Sequence, residues 1–269
     1  MSSAFRSTLV LLAACILASS VAARELRVCA DPNNLPFSNE RREGFENRIV
    51  DLIAADLGVQ VNYVWAAQRR GYVRRLREGE CDLIPGVANG VEKLRATPAY
   101  YGSIYTFVRR AGAPEITSLD DPALKQLRIG VQMVGDDGAN TPPAHALARR
   151  GMIANVRGYS LYGDYEQPNP PSRILEAVAE GQIDVAVVWG PLAGYFASRQ
   201  NAPLRVSPVG TLFDGPGLPM AFNIAMATRR DDPLYPDISA ALARHRGEIG
   251  QILGEYGVPR VDGQSEARP

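Results

Sequence analysis

From Leu26 onward the chain alternates short apolar runs with stretches whose apolar residues recur every three to four positions, and this leaves few architectures open. Leu26 to Ala30 predicts a strand, Asp31 to Gly44 a loop, and the spacing of Ile49, Leu52, Ile53 and Leu57 a helix that stops at Gly58. Val59 to Trp65 predicts a second strand, Arg69 to Glu78 a basic helix ended by Gly79, and Asp82 to Val87 a third strand. A βαβαβ succession needs parallel strands joined by right-handed crossovers. In the usual wound order its first and third strands are neighbours.

Ser103 to Arg110 is an extended run that ends at Ala111-Gly112-Ala113-Pro114, where a domain boundary is expected. A second alternating set follows. Its strands are Leu127 to Gln132, Ile153 to Gly158, Ile183 to Val188 and Leu204 to Val209; its helices are Pro142 to Arg150, Ser172 to Glu180 and Pro191 to Arg199. Gly215-Pro216-Gly217 and Pro219 break the chain before an extended run, Ala221 to Thr228, and two closing helices over Pro233 to Arg246 and Gly247 to Tyr256. The extended segments suggest two crossings between lobes: residues 24–110 with 219–269 form the first, and 111–218 an inserted second. One broad sheet satisfies the same periodicity. With two lobes, ligands belong in the cleft, where the carboxyl ends of parallel strands present loops and helix N-termini.

Residues 1–23 read as an export signal rather than structure: Arg6 precedes an apolar run from Leu9 to Leu17 and the small-residue pattern Val21-Ala22-Ala23. Leu12-Ala13-Ala14-Cys15 also fits a lipoprotein box, although Ile16-Leu17-Ala18 stays apolar where a lipid-anchored tether is usually polar. Export changes how the cysteines read. With Cys15 removed, Cys29 and Cys81 remain, and an even pair in an oxidising compartment is most simply a disulfide; two buried free thiols are the alternative. No other segment is long and apolar enough to cross a membrane.

With 46% hydrophobic and 22% charged residues the chain can bury ordinary cores, and 29 basic against 29 acidic residues give no net field to attract nucleic acid or an anionic surface. Function must lie in local sites. There is no nucleophile elbow, phosphate-cradling glycine loop or zincin motif, so no catalysis and no cofactor are expected. His145 and His245 are far apart, and no zinc site forms round the cysteines. Asp136, Asp137 and Asn140 carry oxygens that suit a hard cation, but without a third carboxylate they read as a glycine-flanked turn, and no metal is expected.

Several separated motifs then resemble a known group. Leu26 to Phe37, Gly44-Phe45-Glu46 and Glu78-Gly79-Glu80-Cys81-Asp82 look like the family-3 periplasmic solute-binding proteins, two-lobed type II folds of α/β class in which each lobe has a wound, mostly parallel sheet. Cys29 to Asn39, Gln68-Arg69-Arg70-Gly71, Leu161 to Pro171, Val188 to Phe196 and Glu255-Tyr256-Gly257-Val258-Pro259 resemble one branch more closely, the quinoprotein-dehydrogenase-associated components of methanol-oxidation clusters, the MoxJ/XoxJ type. That resemblance covers nearly the whole mature chain. It implies a non-catalytic, monomeric periplasmic protein that serves a PQQ-dependent methanol dehydrogenase in maturation or activation. An ABC-transporter receptor for a small apolar or cationic molecule is the other reading.

The resemblance also marks what is missing. Amino-acid-binding relatives clamp the ligand carboxylate with an arginine whose position falls at about Gly90, and bind its ammonium through an acid after the late strand, where this chain reads Val188-Trp189-Gly190. Their carboxylate-binding turn falls at Gly135-Asp136-Asp137, where two carboxylates would repel an anion. A zwitterion is therefore not expected. The cleft candidates are Asp31, Asn33, Phe37, Gln68, Arg69, Asn89, Tyr100, Tyr101, Asp136, Asp137, Trp189 and Tyr195. Each has a plainer alternative: turn formers at Asp31 and Asn33, a solvated face at Gln68 and Arg69, core packing for the rings, as for Phe45 and Trp65. Tyr159, Tyr162, Tyr165, Pro168 and Pro170 suggest an exposed aromatic and proline-rich surface for a partner. For the cysteines, the expected outcome is a mature protein two hydrogens lighter by mass spectrometry before reduction than after it; free thiols in the unreduced protein would count against the bridge.

Overall fold

The computed structural model describes residues 24–67, 71–88, 94–133, 140–160 and 165–261. The first half contains β1 (Glu25–Ala30), β2 (Asn33–Asn34), β3 (Ser38–Asn39), α1 (Phe45–Leu57), β4 (Gln60–Trp65), α2 (Tyr72–Arg77), β5 (Ile84–Ala88), β6 (Arg95–Ala96) and β7 (Tyr101–Arg110). It continues with β8 (Ile129–Met133), α3 (Pro142–Arg149), β9 (Val156–Ser160), α4 (Arg173–Ala179), β10 (Val185–Trp189), α5 (Gly190–Ala197), β11 (Leu204–Pro208), β12 (Ala221–Thr228), α6 (Tyr235–Arg244) and α7 (Arg246–Glu255). The alternation read from the sequence thus becomes the element order, with the loop from 31 to 44 folding a small antiparallel hairpin, β2–β3.

β1 and β4 run parallel from Glu25 opposite Gln60 to Ala30 opposite Trp65, and Val28 bridges in parallel to Leu83 just before β5. That places the first and third predicted strands side by side. The remaining strands form one path, β5-β12-β7-β10-β8-β9, in which β8 is parallel to both β9 and β10 while β7 and β12 run antiparallel to their neighbours. β7 changes partners along its length. Residues Tyr101 to Ile104 pair with β12, and Tyr105 to Arg109 pair with β10 on one side while β11 covers the other. Hydrogen bonding is therefore continuous across the sheet, yet the cores beneath it are separate. Phe45, Ile49, Ile53, Met226 and Leu253 belong to one; Phe107, Ile129, Val187 and Met220 to a second; Ile174, Val188 and Phe196 to a third.

Helix α1 shows how sequence fixes local structure. Its buried stripe, Phe45, Ile49, Val50 and Ile53, recurs at helical spacing, and Gly58 ends it in the left-handed region at φ 63°. Its first amides are capped by main-chain carbonyls from the preceding loop: Phe45 N donates to Pro36 O at 2.8 Å and Glu46 N to Phe37 O at 3.0 Å. The loop can come this close only because residue 44 is glycine. A Cβ there would sit 1.9 Å from Phe37 O.

Cys29 and Cys81 are joined, with Cα atoms 5.6 Å apart and 52 positions apart in sequence. Closing a loop of that length stabilises the fold by about 4 kcal/mol on the chain-entropy model. Beside the bridge, Asp82 accepts from Arg27 Nη2 at 2.7 Å and from Arg229 Nη2 at 3.0 Å. Burial alone would raise the Asp82 carboxyl, but these donors hold it below its ordinary value. The Gly44→Ala variant should lose about 1–3 kcal/mol of stability in urea unfolding, because the added methyl must push the loop off the start of α1; an unchanged midpoint would refute this account of the cap.

Candidate functional site

A cavity of about 260 Å³ opens where the separate cores meet. The end of β1 contributes Ala30 and Asp31, the hairpin loop Asn34, Phe37 and Ser38, the first turn of α1 Glu46, and β5 Ile84, Pro85, Gly86 and Ala88. Tyr101 and Tyr105 enter from β7, Gln132 from β8, Trp189 from the end of β10 and Phe222 from β12. Trp189 packs against three of the core clusters and touches the rings of Tyr105 and Phe222, with centroids 5.3 and 5.8 Å away. Its position is fixed by Gln132, whose buried amide oxygen accepts from Trp189 N at 2.9 Å while its main-chain oxygen accepts from Thr141 at 2.7 Å.

Two carboxyl groups face this aromatic space, and they are treated differently. Asp31 accepts from Asn33 N at 2.9 Å and from the Tyr165 hydroxyl at 2.7 Å. Glu46 is 8% exposed, and its carboxyl has no hydrogen-bonding or ionic partner among the described residues. Gly86 makes room for it: a Cβ at that position would lie 2.1 Å from the carboxyl oxygen. Burial pushes the Glu46 carboxyl up to about 8, and it also raises the phenols of Tyr100 and Tyr101. None of the described residues lining the cavity is arginine, lysine or histidine.

Of the cleft residues expected from sequence, the structure brings Asp31, Phe37, Tyr101 and Trp189 to the cavity. Asn33 is not on its wall. It pins a second segment instead, donating to Gln167 O at 2.8 Å and accepting from Asn169 N at 3.2 Å. Tyr100 points its hydroxyl to Pro85 O at 2.9 Å and packs on the core beside Tyr101. Tyr195 stacks on Tyr256 with centroids 5.5 Å apart, under the Arg199 guanidinium, and so serves the contact between α5 and the chain after α7. Gln68, Arg69, Asn89, Asp136, Asp137 and Tyr162 lie outside the described residues, as do residues 1–23. Phe45 is core, as its plainer reading had it, whereas Trp65 is half-buried and stacks on Tyr63 at 4.5 Å.

On the other candidate surface, Tyr165 is 40% exposed and Pro168 is exposed. Tyr159 lies in the edge strand β9, half-buried, and Pro170 is buried at the start of a 3-10 turn, so Pro170 adds nothing to an exposed face. Sequence reasoning missed Glu46, Tyr105, Gln132 and Phe222. Only the Gly44-Phe45-Glu46 motif carried any signal for them.

The position after β10 is also informative. A Cβ on Gly190 would meet Ile104 O at 2.5 Å and the Ser103 hydroxyl at 2.7 Å, so this point packs against β7, while Trp189 beside it lines the cavity.

No family model matches the chain. Protein MoxJ of Methylorubrum extorquens is 32% identical over 249 residues, which cover 87% of this chain and 81% of that protein. The chain belongs to the MoxJ family. Among solved structures, the periplasmic binding protein XoxJ from Methylobacterium extorquens is 33% identical, with a TM-score of 0.72 over 88% of this chain and 99% of that one. MxaJ from Methlophaga aminisulfidivorans, 24% identical, superposes with a TM-score of 0.73 over 88% and 100% of the two chains. The MoxJ-family chain therefore has the type II periplasmic binding-protein fold, α/β, as the sequence led us to expect.

The raised Glu46 carboxyl yields a signed prediction. A group whose folded value lies above its unfolded one contributes stability that is complete below about pH 4.5 and lost as pH rises through about 8. Relative to Glu46→Gln, the parent protein should lose up to about 1.4 kcal/mol per pH unit across that window in urea unfolding. A difference that stays flat with pH would show that the carboxyl is not isolated.

Proposed function

We propose that this protein is a non-catalytic, monomeric periplasmic accessory to a PQQ-dependent methanol dehydrogenase, acting in the enzyme's maturation or activation by binding it or a part of it. The observation that carries this reading is membership of the MoxJ family along most of the chain, joined to a cavity whose described wall carries no cation for a carboxylate ligand. The relative XoxJ is described as a periplasmic binding protein, which agrees with an exported chain whose first 23 residues are a cleaved signal. The dehydrogenase itself enters through the family resemblance.

In this proposal residues 24–110 with 219–269 form one lobe and 111–218 the other, with β7 and β12 as the crossings. Tyr165 and Pro168 offer exposed apolar surface at the cleft mouth, where Tyr165 also bonds to Asp31. Among the described residues, no side-chain set lining the cavity resembles a nucleophile with its base, and this supports a binding role over a catalytic one. A second reading, an ABC-transporter receptor for a small apolar or cationic solute, is favoured by the cavity itself.

Affinity capture with the tagged mature protein, from the periplasm of cells grown on methanol, separates the two. The accessory role requires the dehydrogenase to be recovered and its activity to fall when the gene is deleted. Recovery of no dehydrogenase, or tight saturable binding of glutamine or a similar amino acid, would overturn it.

A further inference from the structure

The part of the cavity that the accessory role leaves unexplained is Glu46. Asp31 has its oxygens occupied by Asn33 and Tyr165, whereas the Glu46 carboxyl, more than nine-tenths buried, faces the cavity with no partner among the described residues. Around it stand aromatic faces: Phe37, Tyr101, Tyr105, Trp189 and Phe222. Faces of this kind carry negative potential and attract cations that bring little hydration with them. The volume suits a small molecule, and the described wall lacks the arginine or lysine that an anionic or zwitterionic ligand would need.

We propose that this cavity binds a small organic cation, an alkylated ammonium group without a carboxylate, with Glu46 as its counter-ion and the aromatic rings as its apolar wall. A neutral apolar ligand would leave the carboxyl unpaired, and a strongly hydrated metal ion would lose its water to rings rather than to oxygens. A quaternary or alkylated ammonium matches both halves of the site at once. The inference goes beyond the accessory role and does not rest on it, since dehydrogenase capture can succeed or fail whichever way the cavity behaves.

The coupling to protons follows from position. Among the described residues, the titratable groups sharing the cavity with Glu46 are Asp31 just after β1, Tyr72 on α2 and Tyr101 and Tyr105 on β7, with Tyr100 behind them. The phenols of Tyr100 and Tyr101 are held above their ordinary value, so they stay neutral where Glu46 titrates. Below about pH 8 the cation must displace the Glu46 proton, and binding should release it to solvent.

The test is calorimetry on the mature protein with choline, whose charge does not titrate, against 3,3-dimethyl-1-butanol, its neutral isostere. We expect one choline site, at least tenfold weaker binding of the neutral isostere, and affinity that rises up to tenfold per pH unit from pH 6 to 8 and then levels. Runs at pH 7 in two buffers of different ionisation enthalpy should report about one proton released per choline. Glu46→Gln should weaken choline at least tenfold and remove the pH dependence. If that variant does not fold, the isostere comparison and the proton count on the parent protein decide alone. Equal binding of choline and the isostere, no proton release, or no heat at millimolar choline at pH 8.5 would each overturn the proposal.

Discussion

A carboxyl group taken out of water with nothing opposite to pair with it is held in place only by what surrounds it, and Glu46 is held by the start of α1. Pro36 and Phe37 carbonyls cap the first amides of that helix, Gly44 lets the loop touch it, and Phe45, Ile49 and Ile53 are buried completely one face away. Rotating the helix to release Glu46 would expose those three side chains, each worth about 1.5–3 kcal/mol when buried. Keeping the acid buried is the smaller cost, because at neutral pH the group is protonated and only a neutral carboxyl has been desolvated. The cavity's chemistry thus follows from packing that lies outside the cavity.

The strands and helices were legible because each is bounded by a signal with a local cause. Gly58 takes the left-handed conformation that closes α1, Pro142 and Pro143 open α3, and the apolar runs of β8 and β10 are buried on both faces. The site was legible only in part. Phe37, Tyr101 and Trp189 could be placed by rule, as rings beside strand ends. Glu46 could not, since an acid in the first turn of a helix ordinarily reads as a solvated partner of the helix dipole. Here a glycine on β5, distant in sequence, turns that position inward. Gln132 was hidden for a related reason: a polar residue ending a strand gives no sign that its amide will hold the main chain of Trp189. Tyr195 and Pro170 erred the other way. Their residue types suggested exposure or cleft contact, but partners from α7 and from the turn before α4 cover them.

The two sides of the cavity are tied by polar contacts that converge on one short stretch of β1 and the hairpin behind it. Tyr165 bonds to Asp31, and Asn33 both donates to Gln167 and accepts from Asn169. Asp31 is two residues from Cys29, which the disulfide ties to Cys81, three residues before β5. The segment carrying Tyr165 and Pro168 therefore docks on the most constrained strand of its neighbour rather than on a mobile loop. Whatever engages that exposed ring and proline bears on a contact whose far end reaches the cavity through Asp31.

This arrangement inverts the electrostatics that an amino-acid site requires. An α-carboxylate brought into the cavity would find Asp31 and Glu46 on its described walls and no guanidinium among them. Where Glu46 is ionised, above about pH 8, a like charge at about 4 Å near a protein surface would repel it by about 4 kcal/mol, roughly a thousandfold in affinity, before any desolvation is counted. At Gly190, next to Trp189 on the cavity wall, an added side chain would first have to separate α5 from the strand that carries Tyr105. Carboxyl placement at Glu46 comes from the packing of α1 and disfavours an anionic ligand without any change at the rest of the wall.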